Sequence, residues 1–374
     1  MKLRYGMVGG GEGAFIGGVH RTAAAIAGNW DLVAGAFSAA PDKARRSAAA
    51  IGVARGYDSW QQMLAGEAEL PPDRRIQAVS IVTPNHLHAP VAIAAMEAGF
   101  DVICDKPLAD TLENARAVAD VVARTGRRFA LTHTYAGYPL VRQARALVAG
   151  AGQVRRVMVT YTQDWLSRAA DAQGSKQAAW RTDPARAGEG GALADIGSHA
   201  FHLAEFITGQ RVTSLCADLG ALAGRKLDDD ASALLRLEGG GRGVLVCSQV
   251  CVGDANDLAI SVYCDELGLH WRQEQPNALR VGRRDRPEEI WTAGANHTYL
   301  AADVRALQRT PAGHPEGYLE AFANIYRAFG EEILTGARGT GAPLYATPED
   351  GQAGMRFIRA ATRSGGTWVA LKEL

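Results

Sequence analysis

Residues 3–132 alternate short β-rich apolar runs with alanine-rich amphipathic stretches, and this alternation limits the possible folds more than any other feature. A strand followed by a helix that returns to the next strand builds a parallel sheet covered by helices. Strands are expected at 3–8, 32–37, 78–82, 102–104 and 129–132, with helices at 18–27, 42–51, 90–98 and 112–124. Pro41 before one helix and Gly99 after another are fitting boundary residues. Beyond about residue 150 the order changes. Six β-rich runs (154–161, 212–219, 231–237, 243–250, 258–263 and 267–272) follow one another with few helices between them, which suits a mostly antiparallel sheet. A helix in the 190s packs on one face, and helices at 319–335 and 349–363 close the chain. With 374 residues, 47% of them hydrophobic, the chain can build two cores. The expected class is α/β: a dinucleotide-type parallel domain over 1–134, then an α+β domain over 135–374 whose late helices can return to the first.

The first βα turn is the first functional signal. The run LRYGMVGGGEGAFIGGVHR leaves a strand and opens a helix, where a pyrophosphate meets backbone N–H groups and the positive helix end. Gly9 and Gly11 fit the first two glycines of G-x-G-x-x-G, with Gly13, Ala14, Phe15 and Ile16 continuing the loop. Ala14 occupies the third glycine's place; either it serves there or the loop is enlarged and Gly17 does. This is the Rossmann arrangement for NAD or NADP. At the end of strand two, where an acid would bind the ribose of NAD, stands Ser38, followed by Lys43, Arg45 and Arg46, which favours NADP.

Composition excludes several other classes. Forty basic and forty acidic residues cancel, so neither nucleic acid nor an anionic membrane is an expected partner, and a small molecule is. Five cysteines without a CxxC pair argue against a disulfide framework or zinc ribbon. The glycines and Glu12 that follow the basic start do not resemble a secretory leader, and a cytoplasmic location is expected.

The segment GGALADIGSHAFHLAEF, residues 190–206, places Asp195, His199 and His202 on one face of a helix, beside a core stripe of Ile196, Ala200, Leu203 and Ile207. At ~1.5 Å rise per residue, Asp195 and His202 lie roughly 10 Å apart, too far for all three to hold one ion. A metal-binding pair, a proton relay and a buried helix with satisfied histidines all remain open on spacing alone.

Lys106, in CDKP at a strand's carboxyl end, points toward the crevice where open α/β sheets bind ligands. The glycine loop, TPNHLH at 83–88, CDKP at 104–107, AWR at 179–181 and GGALADIGSH at 190–199 together resemble the Gfo/Idh/MocA oxidoreductases. The resemblance spans nearly the whole chain; Asp105 replaces the usual glutamate, and the glycine loop is lengthened. It implies a catalytic group of Lys106, Asp195 and His199, and NAD or NADP as cofactor. It further implies that Thr83, Pro84, Asn85, His86 and His88 lie along the nicotinamide ribose, with Asp105, Lys106 and Arg181 near the cofactor. YTQDW at 161–165 is similar to a stretch of levoglucosan dehydrogenase, which makes Gln163 and Trp165 substrate contacts; Tyr135 and His314 join them, alongside Lys106, Asp195 and His199.

The implied reaction is hydride transfer between a secondary alcohol of a sugar, glycoside or cyclitol and the nicotinamide. His199 is the general base, its ordinary pKa of about 6.5 suiting the task; Asp195 orients it and Lys106 stabilises the alkoxide. The alternatives are a redox-neutral NAD-dependent glycosidase or lyase working by transient oxidation and elimination, a non-catalytic nucleotide-binding regulator, and a metalloenzyme using His199 with nearby carboxylates. Asp228, Asp229 and Asp230 are expected to form a solvated turn. The resemblance also implies a homodimer or homotetramer, paired through the exposed face of the second sheet.

Overall fold

The structure is a computed structural model and describes residues 2–167, 180–221, 225–337 and 343–374. It divides into two compact units, Met1–Thr134 with Phe322–Gln352, and Tyr135–Ala321 with Ala353–Leu374.

The first unit holds a six-stranded parallel sheet of β1 (Leu3–Gly9), β2 (Trp30–Ala36), β3 (Arg55–Gly56), β4 (Ala78–Val82), β5 (Asp101–Cys104) and β6 (Phe129–Leu131). The spatial order β3-β2-β1-β4-β5-β6 reverses direction at β1 and β4, the crevice where doubly wound sheets bind dinucleotides. Every residue of β4 and β5 is buried, as expected of strands covered on both faces. The connecting helices are α1 (Phe15–Ala27), α2 (Pro41–Ile51), α3 (Trp60–Glu69), α4 (His88–Glu97) and α5 (Leu112–Thr125). The returning segment adds part of the helix Tyr318–Thr335, whose Tyr326 carbonyl accepts from the Trp30 indole at 2.8 Å.

In the second unit, α6 (Pro139–Ala149) precedes a nine-stranded sheet. Its strands are β7 (Val154–Thr162), β8 (Val212–Gly220), β9 (Asp230–Leu237), β10 (Arg242–Ser248), β11 (Asp257–Cys264), β12 (Leu267–Arg272), β13 (Ala278–Arg283), β14 (Glu289–Thr292) and β15 (Trp368–Ala370). All neighbours pair antiparallel except β7 and β10, which run parallel. Successive side chains alternate faces. On one face the row Ala233, Leu245, Val159, Ile260 and Trp271 is buried, and the helix Ser198–Thr208, buried at ten of its eleven positions, packs with α6.

The predicted elements form with shifts of one or a few residues. Not anticipated were α3, α6, the short helices Pro184–Ala187 and Ala302–Ala306, the two-residue β3, and the strands β13, β14 and β15 at the two margins of the second sheet. Short and edge strands carry too little periodicity to register as strands. The helix of the 190s also differs. Residues Leu193–Gly197 form a π-turn, with Ser198 N–H bonded to the Leu193 carbonyl five residues back, before an α-helix runs from Ser198 to Thr208. The stripe drawn on a uniform α-helical period therefore does not hold across Asp195 and His199. No described helix is long and apolar enough to cross a membrane.

Candidate active site

In the first unit, the chain leaves β1 through Gly9 and Gly10 and reaches α1 through Gly13, all three at positive φ, a region that favours glycine. A Cβ on Gly17 would lie 2.3 Å from Gly10 Cα, and one on Gly11 would lie 2.6 Å from the Phe37 carbonyl oxygen. Gly17, not Ala14, is thus the residue that lets α1 close on the loop; Ala14 only precedes the helix. The N–H groups of Gly11 and Glu12 are held by the Phe37 carbonyl and the Ser47 hydroxyl. The first turn of α1, with Phe15 and Ile16, has no side-chain cap and no acidic residue, so its N–H groups and dipole can meet an anion.

At the end of β2 the Ser38 hydroxyl accepts from Ala40 N–H at 3.2 Å, and Lys43 is half-buried. The bases behind it are engaged: Arg45 holds Asp42 and Asp58, and Arg46 lies 3.6 Å from Glu12. After β4, Pro84, Asn85 and His86 form a tight turn with Asn85 buried. Thr83 Oγ1 and His86 Nδ1 are buried with no hydrogen-bond partner among the described residues. Such atoms are costly unless a ligand satisfies them, so this turn fits a cofactor that brings polar groups. His88 has a different role from the one expected. Its Nδ1 lies 2.7 Å from the Pro107 carbonyl and its Nε2 2.9 Å from the Thr83 carbonyl. Both ring nitrogens face protein carbonyls, and the neutral ring donates to one of them, so His88 braces the loops after β4 and β5 and is not directed at a cofactor. Burial pushes its pKa below the ordinary imidazole value, against the pull of those carbonyls and Asp105.

Asp105 directly follows β5, its N–H bonded to the Ile81 carbonyl at 2.9 Å, and Lys106 comes next, joined to Pro107 by a cis bond. Asp105 Oδ1 accepts from Thr132 Oγ1 at 2.9 Å and faces His20 Nε2 at 3.8 Å. The carboxylate thus has one oxygen committed to the interior, beyond the cofactor contact expected of it. Burial alone would raise its pKa, but His20, Lys106 and His88 outweigh burial and hold it below the carboxylate range.

In the second unit, one polar cluster forms at the carboxyl ends of the parallel pair β7 and β10 and the start of β11. Asp195 Oδ2 accepts from Arg181 Nε at 3.1 Å and Gln249 Nε2 at 2.9 Å. Gln249 Nε2 also reaches Gln163 Oε1 at 3.2 Å, which accepts from the Trp165 indole at 2.9 Å. Gln163 Nε2 donates to Asn256 Oδ1 at 2.7 Å, and Tyr161 OH donates to the same oxygen at 2.8 Å. Tyr161 and Tyr135 share a short hydroxyl contact, and the Tyr135 ring stands edge-on to His199 at 4.8 Å between centroids. Burial raises both phenols, so they stay protonated at neutral pH.

The backbone under the cluster depends on the Asp run, which is not the solvated turn expected. The Asp228 carboxylate accepts from the N–H groups of Gly191 and Leu193, each at 2.7 Å, and Asp229 is fully buried against Arg225. A Cβ on Gly191 would lie 2.0 Å from the Asp228 carbonyl oxygen, and one on Gly197 2.8 Å from Cys247 Sγ. Gly191 lets the chain enter the π-turn against Asp228, and Gly197 lets the turn lie against β10, which carries Asp195 to Gln249.

Tyr135, Gln163, Trp165, Arg181, Asp195 and His199 thus converge within the second unit. Arg181, expected near the cofactor, is held by Asp195 and lies over the Trp180 ring; Ala179 of the same motif lies outside the described residues. His314 does not converge: it is exposed in the turn before Glu316, and among the described residues its side chain makes no hydrogen bond to the cluster. Sequence reasoning missed Gln249, Asn256 and Asp228. Gln249 and Asn256 flank strand ends without a motif, and only the charge of the Asp run marked Asp228. Among the described residues no three metal-ligating side chains gather.

A doubly wound sheet with a glycine turn at its first strand, followed by a sheet domain carrying an acid, an imidazole and phenols, defines a two-domain dinucleotide-dependent oxidoreductase. Residues 3–133 match the oxidoreductase family with NAD-binding Rossmann fold, and residues 141–270 match the GFO/IDH/MocA C-terminal domain. The chain belongs to the Gfo/Idh/MocA oxidoreductase family. It is 30% identical to the uncharacterized oxidoreductase YfiI of Bacillus subtilis (strain 168) over 99% of this chain and 97% of that one. It is 28% identical to levoglucosan dehydrogenase of Pseudarthrobacter phenanthrenivorans over 75% and 76% of the two chains. An inositol dehydrogenase homolog of Azotobacter vinelandii, complexed with NADH and myo-inositol, superposes with a TM-score of 0.89 at 32% identity, covering 99% and 98% of the chains.

Proposed function

We propose that the protein is an NAD-dependent dehydrogenase of secondary alcohols in sugars or cyclitols, with Lys106, Asp195 and His199 as its catalytic residues. The observation that carries this reading is the hydrogen-bonded cluster joining Asp195, Gln249, Gln163, Trp165 and Asn256 beside Tyr135 and His199. Amides, an indole and phenols fixed by one another suit the dense, neutral hydroxyl pattern of a polyol, and the residues are set before substrate arrives.

The glycine turn, the first turn of α1 and Thr83–His86 would hold a nicotinamide dinucleotide, which would supply the hydride acceptor. His199 takes the substrate hydroxyl proton, and Asp195 stabilises the charged imidazole. Lys106, following β5, offers an ammonium to the developing alkoxide. The coenzyme is NAD, because Arg45 is already bound by Asp42 and Asp58, whose charges oppose a 2′-phosphate. Levoglucosan dehydrogenase and the myo-inositol-bound homolog support a sugar or cyclitol as substrate.

The protein works as a cytoplasmic homodimer or homotetramer. On the face of the second sheet opposite the helices, Leu234, Val244 and Met158 form an adjacent row; Leu234 is 49% and Met158 46% exposed. An apolar row of this kind fits a subunit interface.

Coenzyme reduction followed spectroscopically, against inositols, free sugars, anhydrosugars and glycosides, tests the reading. Reduction of NAD with one polyol class supports it. Aglycone release without net coenzyme reduction would replace it by redox-neutral elimination.

A further inference from the structure

Behind Asp105, within the first unit, lies a buried chain of polar groups that the reaction as described does not use. Ser80 Oγ lies 2.9 Å from Tyr326 OH, and Tyr326 OH lies 2.8 Å from His20 Nδ1. The other imidazole nitrogen, Nε2, faces Asp105 Oδ1 at 3.8 Å, within ion-pair reach but beyond a hydrogen bond. Ser80, His20 and Tyr326 are each fully buried, and Phe322 packs on the imidazole at 4.9 Å. With Ser80 donating to Tyr326 and Tyr326 donating to Nδ1, the imidazole proton sits on Nε2, directed at the carboxylate.

We propose that His20 is a positioning residue for Lys106, acting through the carboxylate of Asp105. The inference rests on the assignment of Lys106 to catalysis. Asp105 joins the end of β5 to Lys106, so the direction of its carboxylate fixes how the chain leaves the strand. Thr132 anchors Oδ1 from beyond β6, and His20 supplies the facing dipole or charge from α1. A carboxyl in this setting without His20 is driven toward protonation by burial, which removes the anion beside Lys106 and lets the side chain turn. The groups facing Asp105 are His20 from α1, His88 from α4, Thr132 after β6, Tyr326 from the late helix, and Cys104 and Lys106 in its own segment.

The test compares His20→Ala, His20→Gln, Asp105→Asn and the double variant H20A/D105N, each checked for folding and for NAD affinity. H20A is expected to lower kcat by about 10-fold or more, and to steepen the acid limb that the base His199 already gives kcat/KM in wild type, because a second proton, on Asp105, then also inactivates the enzyme at low pH. H20Q, which can still direct an N–H at Asp105, recovers most of the loss. The double variant is no worse than D105N, because both substitutions break one connection. Additive losses, or an H20A acid limb no steeper than that of wild type, would overturn the proposal. Titration of the Asp105 carboxyl by carbon NMR gives a readout that needs no turnover: its midpoint rises in H20A, and an unchanged midpoint is equally fatal. If wild type oxidises no polyol, the dehydrogenase reading fails while this titration still decides the His20–Asp105 relationship.

Discussion

The amide of Gln249 donates to Asp195 Oδ2 at 2.9 Å, and the same oxygen takes Arg181 Nε at 3.1 Å. Asp195 is therefore fixed by two donors from outside its own helix, one from the end of β10 and one from the segment after residue 180. A hydrogen bond to a charged group contributes about 1.5–3 kcal/mol. Gln249→Ala is expected to lower kcat by about 10- to 100-fold with little change in NAD affinity. Steady-state kinetics with coenzyme titration checks it, and a change confined to coenzyme affinity would refute the assignment.

His199→Ala should reduce turnover by about 10²-fold or more, the usual worth of a positioned base. Lys106→Met should reduce kcat while coenzyme binding, followed by fluorescence, stays near wild type. Normal turnover in either variant would remove that residue from the chemistry.

Coenzyme choice follows from the end of β2. NAD should give the higher kcat/KM, and replacing both Asp42 and Asp58 by Asn should raise NADP use by releasing Arg45. A wild-type preference for NADP would contradict the reading of that cluster.

His88 gives a pH prediction for stability. Burial lowers its pKa in the folded protein, whereas in the unfolded chain it titrates near about 6.5. The unfolded state therefore gains the proton first, so the His88 contribution is present above about pH 6.5 and is lost as pH falls toward the folded value. Thermal unfolding at pH 7.5 and 5.5 should show a smaller drop in Tm for His88→Gln than for wild type. Equal drops would mean His88 is not the group responsible.

Leu234→Glu, on the exposed sheet face, should shift the assembly toward monomer in sedimentation while the monomer stays folded. An unaltered oligomer would place the interface elsewhere.

The sequence alone determined the order of elements, because hydrophobic period is local: alternating strands and helices to residue 132, then consecutive strands, required a parallel sheet and a mostly antiparallel one. It also placed the glycine turn, since only glycine tolerates the backbone at positions 9, 10 and 13. What it could not decide depends on residues distant in the chain. That Gly17 rather than Ala14 closes on the loop is a matter of 2.3 Å between backbones. The π-turn at Leu193–Gly197 adds a residue to the turn, so a count by 3.6 misplaces Asp195 relative to His199. Asp228 reads as a solvent-facing charge until its carboxylate is seen on the N–H groups of Gly191 and Leu193, 37 and 35 residues away. Gln249 and Asn256 carry no motif at all; their positions come from β10 lying parallel to β7 and β11 antiparallel to it. Local pattern specifies which elements form, while long-range pairing decides which polar groups meet.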